Sequence, residues 1–285
     1  MGYDEVRPAT RPELRSAGKE AYARAGGYDG EMPFPNPFDS DVARAHSSYH
    51  GQRGDELVRP HETRPPSGFA RVANQAFRAF VFGDACSCLG AKSSIRRGLY
   101  RLGAYDRFDD PGVTEGLARD LSTFAAERRS FASDFTAFVA IFREHDRAGE
   151  PAFERALWSQ LQRLHDLDAR YHWWDPRVSD DPQDPGFSFS IAGSAFFVVG
   201  MHPDASRAAR RFAWPALIFN AHEQFEHLRE DGRFAGLQRR IRARELRLDG
   251  ALNPNLADDG RSSEARQYSG RATGDTWNCP LRVRS

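Results

Sequence analysis

The segment MHPDASRAARRFAWPALIFNAHEQFEHLRE, residues 201–230, concentrates side chains that can do chemistry. His202 and His222 can each offer an imidazole lone pair to a metal. His202 follows an apolar run and precedes Pro203, which puts it at the carboxyl end of a core strand, where a buried sheet opens into a site. His222 falls in the first turn of a helix, where the positive end of the helix dipole disfavours an imidazolium and keeps the ring neutral. On a short helix capped by Asp204, Arg207 and Arg211 share one face. Two such guanidiniums receive carboxylates through paired hydrogen bonds, which suits the acidic groups of a cofactor or an amino acid. Each residue also has a plainer role: a histidine bonded to a neighbouring loop, or arginines paired with Glu223, Glu226 or Glu230. Asn220 and Glu223 have the spacing of a capping box, which accounts for both without chemistry.

Other reactive groups are spread along the chain. His165 and His172 lie on a helix opened by Pro151, on a stripe with Trp158 and Leu161 that faces a cavity or fills the margin of the core. In the tail, Glu264, Arg266, Gln267, Tyr268 and Arg271 supply acid, guanidinium, amide and phenol, a mixture that recognises a charged amino acid or anchors the tail. Cys86, Cys88 and Cys279 could ligate a metal as thiolates, but C-x-C with one distant partner lacks the usual paired spacing, and buried structural thiols are commoner. GDACSCLGAKSS is not a phosphate-binding loop, because six residues separate Gly83 from Gly90 and Ala91 precedes Lys92.

These groups need a body to position them. The spacing predicts a helix from Phe69 to Phe82 and a second short one around KSSIRRGLYRL. Phe131, Phe135, Phe138 and Phe142 recur at helical spacing between Thr114 and His145, and Phe153, Leu157, Leu161 and Leu164 do so after Pro151, giving two helices that pack on a sheet. FSFSIAGSAFFVVGM reads as strand, tight turn and strand, and WPALIFN as a third strand, with the short helix DASRAARRF between the last two. A long helix runs from Ala221 toward Leu248, broken at Gly232 or Gly236. The tail is dense in Tyr, Trp and Cys, as a segment folded back onto the body would be. The class is therefore α+β, with a central, mostly antiparallel sheet packed by long helices, and residues 66–285 forming one domain. Residues 1–65 lack periodicity and form an irregular arm that wraps the body or lids a site.

Composition narrows the partners. Lys and Arg together number 40, as do Asp and Glu, so no global field gathers nucleic acid or anionic lipid. A hydrophobic fraction of 40% sustains a sizeable core. The apolar runs are too short to cross a bilayer, the amino terminus lacks the core of a secretory signal, and an odd set of three cysteines suits a reducing compartment. A cytoplasmic protein without nucleic-acid or membrane partners is expected.

CLGAKSSI, FSFSIAGSAFFVVGMHPDASRAARRF, FNAHEQFEHLRE, NPNLADDG, SEARQYSGR and WNCPL resemble the YqcI/YcgG family, particularly its haem-dependent N-hydroxylases of guanitoxin and D-cycloserine biosynthesis, over roughly residues 75–283. The resemblance implies noncovalent haem b and hydroxylation of a guanidino nitrogen of free L-arginine or an arginine-like amino acid. Dioxygen with an external electron donor, or peroxide, would supply the oxygen. The matching positions are His202, Arg207, Arg211, His222, Glu264, Gln267, Tyr268 and Cys279. His202 is the favoured axial ligand, with His222, His165 and Cys279 as alternatives, and Arg207 and Arg211 would meet the propionates. Glu264 would receive the guanidinium, with Asp168 a weaker candidate; Arg266 or Arg271 would hold the amino acid's carboxylate, beside Gln267 and Tyr268. The chain departs from the family at CSC, where an aromatic-Pro-Cys run commonly precedes GAK, so Cys88 is not claimed as an invariant ligand. It departs again at Gly186, where a histidine often precedes FSFS. Two other functions stay open: a non-haem metal oxygenase or hydrolase using His165, His202 and His222 with Glu223, and a haem sensor or carrier without turnover.

Overall fold

Two sheets organise the computed structural model, which describes residues 35–86, 88–131, 135–144, 149–255 and 262–284. A small hairpin pairs β1 (Gly51–Arg53) with β2 (Glu56–Val58). The central sheet contains β3 (Tyr100–Arg107), β4 (Ala137–Glu144), β5 (Phe189–Ile191), β6 (Ser194–Met201) and β7 (Ala216–Ala221), in the order β3-β4-β7-β6-β5. Only β3 and β4 run parallel, and the other three pairings are antiparallel, so the expected α+β class with a mostly antiparallel sheet is present.

The helices are α1 (Asp41–His46), α2 (Gly68–Phe82), α3 (Leu89–Arg96), α4 (Pro111–Glu127), α5 (Gly149–Asp168), α6 (Glu223–Glu230), α7 (Phe234–Asp249) and the short α8 (Ala265–Tyr268). Helix α4 starts at the Asp110 cap, whose side chain accepts the Val113 N–H at 3.0 Å, with Pro111 in the first turn. It makes the crossover between the parallel strands. Leu117, Leu121 and Phe124 of α4, with Leu157, Leu161 and Leu164 of α5, cover one face of the sheet at Phe138, Phe196 and Phe219. Phe77 and Val81 of α2 and Ile95 of α3 pack against Val139, Ile141 and Ile218 on the other. None of the described helices is long and apolar enough to cross a membrane.

Several expected elements are corrected. The phenylalanines whose spacing predicts a helix through Phe142 instead lie beyond α4 and its closing 3-10 turn Arg128–Ser130, with Phe138 and Phe142 in β4. Phe138, Ala140 and Phe142 enter one core layer while Val139 and Ile141 enter the other, and a strand buried on both faces shows a continuous apolar run rather than alternation. The expected helix at KSSIRRGLYRL ends at Arg96; Gly98 takes a left-handed φ of 65°, and the residues from Tyr100 become β3. Between β6 and β7 there is only a 3-10 turn, Ala208–Arg210, in place of a short helix. The long helix after β7 is broken at Gly232, where φ is 67°. Residues 1–34 of the expected arm lie outside the described residues. Its described part is not irregular throughout, since it forms α1 and the hairpin. It lies against α4, where Ser47 Oγ and Ser48 N–H both donate to Asp120, at 2.6 and 2.7 Å.

Candidate functional site

The carboxyl-terminal half of β6 has an open edge, because β5 reaches only from Ser194 to Phe196. The tail closes it. Tyr268 on α8 is fully buried, accepts the Phe189 N–H at 3.1 Å and donates to Glu264 Oε1 at 2.6 Å. Arg210 completes the seal by donating to the carbonyls of Gly200 and Gln267, at 2.9 and 3.0 Å. The tail can approach this closely because residue 200 is glycine: a Cβ there would lie 2.7 Å from Leu157 Cδ1 and 2.8 Å from the Tyr268 carbonyl. Gly200→Ala is therefore expected to destabilise the fold by about 1 to 3 kcal/mol through overpacking. A urea midpoint unchanged from the parent protein would contradict that tight approach.

This closure fixes Glu264. Its Oε1 also accepts a hydrogen bond from Ser188 at 2.7 Å, while no described residue hydrogen-bonds Oε2 or forms an ion pair with the carboxylate. Burial drives its pKa up to about 7 against the opposing hydrogen bonds from Tyr268 and Ser188 and the more distant charge of Arg229. The residue as a whole is half-buried, while its carboxyl group sits deep among protein atoms. Two neutral hydroxyls thus anchor an acid that lacks a cationic partner, and a bound cation would supply one.

Phe197 links this acid to the helices beyond the sheet. Its ring meets Phe225 of α6 at 5.8 Å and Tyr268 at 5.6 Å, both edge-to-face. Arg229, whose charge reaches Glu264, lies 4.6 Å from the ring centroid of Phe234 at the start of α7. Helix α7 turns Phe234, Leu237, Ile241 and Leu248 inward, yet none of its residues is fully buried. Between it and α3 lies a cleft of about 450 Å³, lined by Leu89, Phe135, Leu228 and Leu237, with Arg233 and Arg240 among its polar groups. A smaller cavity of about 30 Å³ shares Gly90 and Phe135 and reaches Asn220 and Gln224.

His222 opens α6 as its N-cap residue without a side-chain capping bond. Burial lowers its pKa, so the imidazole is neutral at neutral pH, and its buried Nδ1 has no hydrogen-bond partner among the described residues. The expected capping box is absent: Asn220 belongs to β7 and donates to Phe197 O at 3.3 Å. Glu223 ion-pairs with Arg128 and Arg177, which outweigh burial and hold its pKa down to about 2.

The remaining expected residues are dispersed. Phe196 pairs with Ala221 and Met201 with Ala216, so His222 and His202 lie just beyond opposite ends of this ladder, roughly 20 to 25 Å apart at about 3.4 Å per residue. His202 stacks on Phe153 at 4.3 Å, in the wall of a separate cavity of about 250 Å³. His165 Nε2 accepts the Arg284 N–H at 2.9 Å. These positions divide the expected trio of histidines, and among the described residues no group of three His, Cys, Asp or Glu is arranged to hold a metal ion. Arg207 and Arg211 do not share a helical face: Arg207 approaches Asp249 at 3.2 Å, while Arg211 donates to the carbonyls of Ala205 and Ser206. Arg266 donates to the carbonyls of Gly274 and Asp275, and Arg271 pairs with Glu154 at 2.5 Å. Asp168 bonds His172 and the Ala192 N–H, and Gln267 meets Arg210 through its backbone carbonyl. Burial pushes the Cys279 thiol up to about 12, which disfavours thiolate at neutral pH.

Sequence reasoning missed Ser188 and the cleft beneath α7. Ser188 carried a signal, since a polar residue between the buried Phe187 and Phe189 needs a hydrogen-bond partner. A family model described as the YqcI/YcgG family matches residues 77–282, more than half of the chain. No curated protein and no solved structure matches it.

Proposed function

The chain belongs to the YqcI/YcgG family, and from that premise we propose that it is a haem-dependent monooxygenase that hydroxylates a guanidino nitrogen of free L-arginine or an arginine-like amino acid. The observation that carries the substrate assignment is Glu264, an acid anchored by two hydroxyls and lacking an ion-pair partner among the described residues. A guanidinium would pair with its Oε2 while Ser188 and Tyr268 hold Oε1. Tyr268 thereby acts as a positioning residue, and its burial, with the Glu264 charge beside it, raises its pKa and keeps the phenol protonated.

The cleft beside α7 offers a haem b an apolar wall at Leu89, Leu228 and Leu237 and the guanidinium of Arg240 for a propionate, but no side chain in its lining can ligate iron; the candidate ligand, neutral His222 with its unpartnered Nδ1, opens the neighbouring α6 and is not part of that lining. A cleft of about 450 Å³ is within the usual range for cofactor pockets, about 300 to 1,000 Å³. The ligand preference therefore moves from His202 to His222. When bound, haem supplies activation of dioxygen or peroxide. One guanidino N–H, one dioxygen, two electrons and two protons give one N–OH and one water; with hydrogen peroxide the same products need no further electrons.

His222→Ala is expected to abolish the Soret band formed with added haemin, whereas His202→Ala retains it. The opposite pattern, in two folded variants, would return the ligand to His202. Failure of the folded parent protein to bind haemin would remove the haem reading altogether.

A further inference from the structure

The small cavity beside the α7 cleft mixes two kinds of lining. Phe77, Ile95, Val139 and Ile218 are apolar, whereas Ser94 of α3 and Gln224 of α6 are polar. Both polar residues are more than nine-tenths buried, at 4% and 6% exposure. Ser94 Oγ and Gln224 Nε2 nevertheless have no hydrogen-bond partner among the described residues. A serine inside a helix ordinarily bonds back to a carbonyl one turn earlier or points to solvent, and Ser94 does neither. Asn220 lines the same cavity with its amide engaged, donating to the carbonyls of Phe197 and Ile218 at 3.3 and 3.4 Å. Leaving two buried polar groups unbonded costs more than immobilising one water between them.

Size and charge select the ligand. The cavity measures about 30 Å³, while roughly 10 to 15 Å³ seats one water and cofactor pockets run from about 300 Å³ upward. No described charged residue lines it, so an ion would enter without a counter-charge. We propose that this cavity is an internal binding site for one water molecule, which accepts from Gln224 Nε2 and hydrogen-bonds Ser94 Oγ. Gly90 and Phe135 line both this cavity and the outer cleft, and the water exchanges past them. Bound there, it ties α3 to the first turn of α6, two residues beyond His222, across a gap that neither side chain bridges alone. The site belongs to the fold and does not depend on the hydroxylase reading.

High-resolution crystallography of the full chain is the test. A single solvent peak is expected within about 3.2 Å of both Ser94 Oγ and Gln224 Nε2. Ser94→Ala combined with Gln224→Met removes both partners at nearly constant volume, and the peak should be lost in that variant. In solution, the Gln224 side-chain amide of the parent should show a nuclear Overhauser cross-peak to long-lived water. An empty cavity in the parent, with Ser94 and Gln224 turned to protein partners, would overturn the site. So would a solvent peak that persists in the folded double variant, because the two side chains would then not be what holds it. Xenon entering the parent cavity under pressure would mark it as dry and apolar, and would overturn the proposal equally.

Discussion

Replacing Glu264 by Gln is expected to weaken L-arginine binding to the haem-loaded chain roughly a hundredfold to several thousandfold, about 3 to 5 kcal/mol, while haem retention is preserved. The amide keeps an oxygen for Ser188 and Tyr268, so the change removes the charge with little loss of anchorage. A guanidinium left in the site would then have no ionic partner for its desolvated donors. If the pair were solvent-exposed the loss would stay below about 1 kcal/mol, and that smaller result would contradict the buried site. The same acid sets a pH dependence. Folding raises its pKa from 4.5 to about 7, so in the ligand-free protein this group's contribution to stability is greatest below 4.5 and declines as pH rises toward 7. Guanidinium binding favours the ionised form. Arginine affinity should therefore rise about tenfold per pH unit below about 7 and level off above it, and Glu264→Gln should remove that slope.

The second large effect belongs to the fold. Arg101 and Glu127 form an ion pair whose side chains are only 7% and 2% exposed, and Tyr49 donates to the same carboxylate. Burial pushes the Glu127 pKa upward, but Arg101 prevails and lowers it. Glu127→Ala strands the Arg101 charge inside the protein, with an expected loss of about 3 to 5 kcal/mol. Against a typical total of about 5 to 15 kcal/mol, that is enough to threaten folding. Urea unfolding measures it directly, with an unchanged slope and a lowered midpoint expected. Replacing both partners by apolar residues, Arg101→Met with Glu127→Leu, should recover much of the loss. A single variant within about 1 kcal/mol of the parent would contradict the importance of this pair. Because the folded pKa of Glu127 is depressed, the pair's stabilisation is present above 4.5 and is lost as pH falls through the folded value.

The legible parts of the sequence were those governed by local chemistry. Ala192 and Gly193 both have positive φ, 53° and 61°, as a tight two-residue hairpin requires, and the β5–β6 turn could be read from that dipeptide between apolar runs. The tail's polar and aromatic density likewise pointed to a segment folded back onto the body, where Tyr268 is buried. By contrast, β4 is buried on both faces and loses the alternation that identifies a strand. The Ser188–Glu264 bond joins residues 76 apart, which no local pattern encodes. Arg207 and Arg211 were misplaced because tertiary bonds to Asp249 and to backbone carbonyls replace the helix their spacing allows. His202 and His222 looked equivalent in sequence; only the antiparallel register of β6 and β7 separates them.

The most direct measurement is the product formed when the purified chain, loaded with haemin, is incubated with L-arginine and either hydrogen peroxide or dioxygen and a reductant. The expected product is arginine one oxygen heavier, with the added oxygen on a guanidino nitrogen, and it should be lost in Glu264→Gln. Oxygenation only of amino acids that lack a guanidine would contradict the substrate assignment, and haem binding without any oxygenated product would contradict the enzyme.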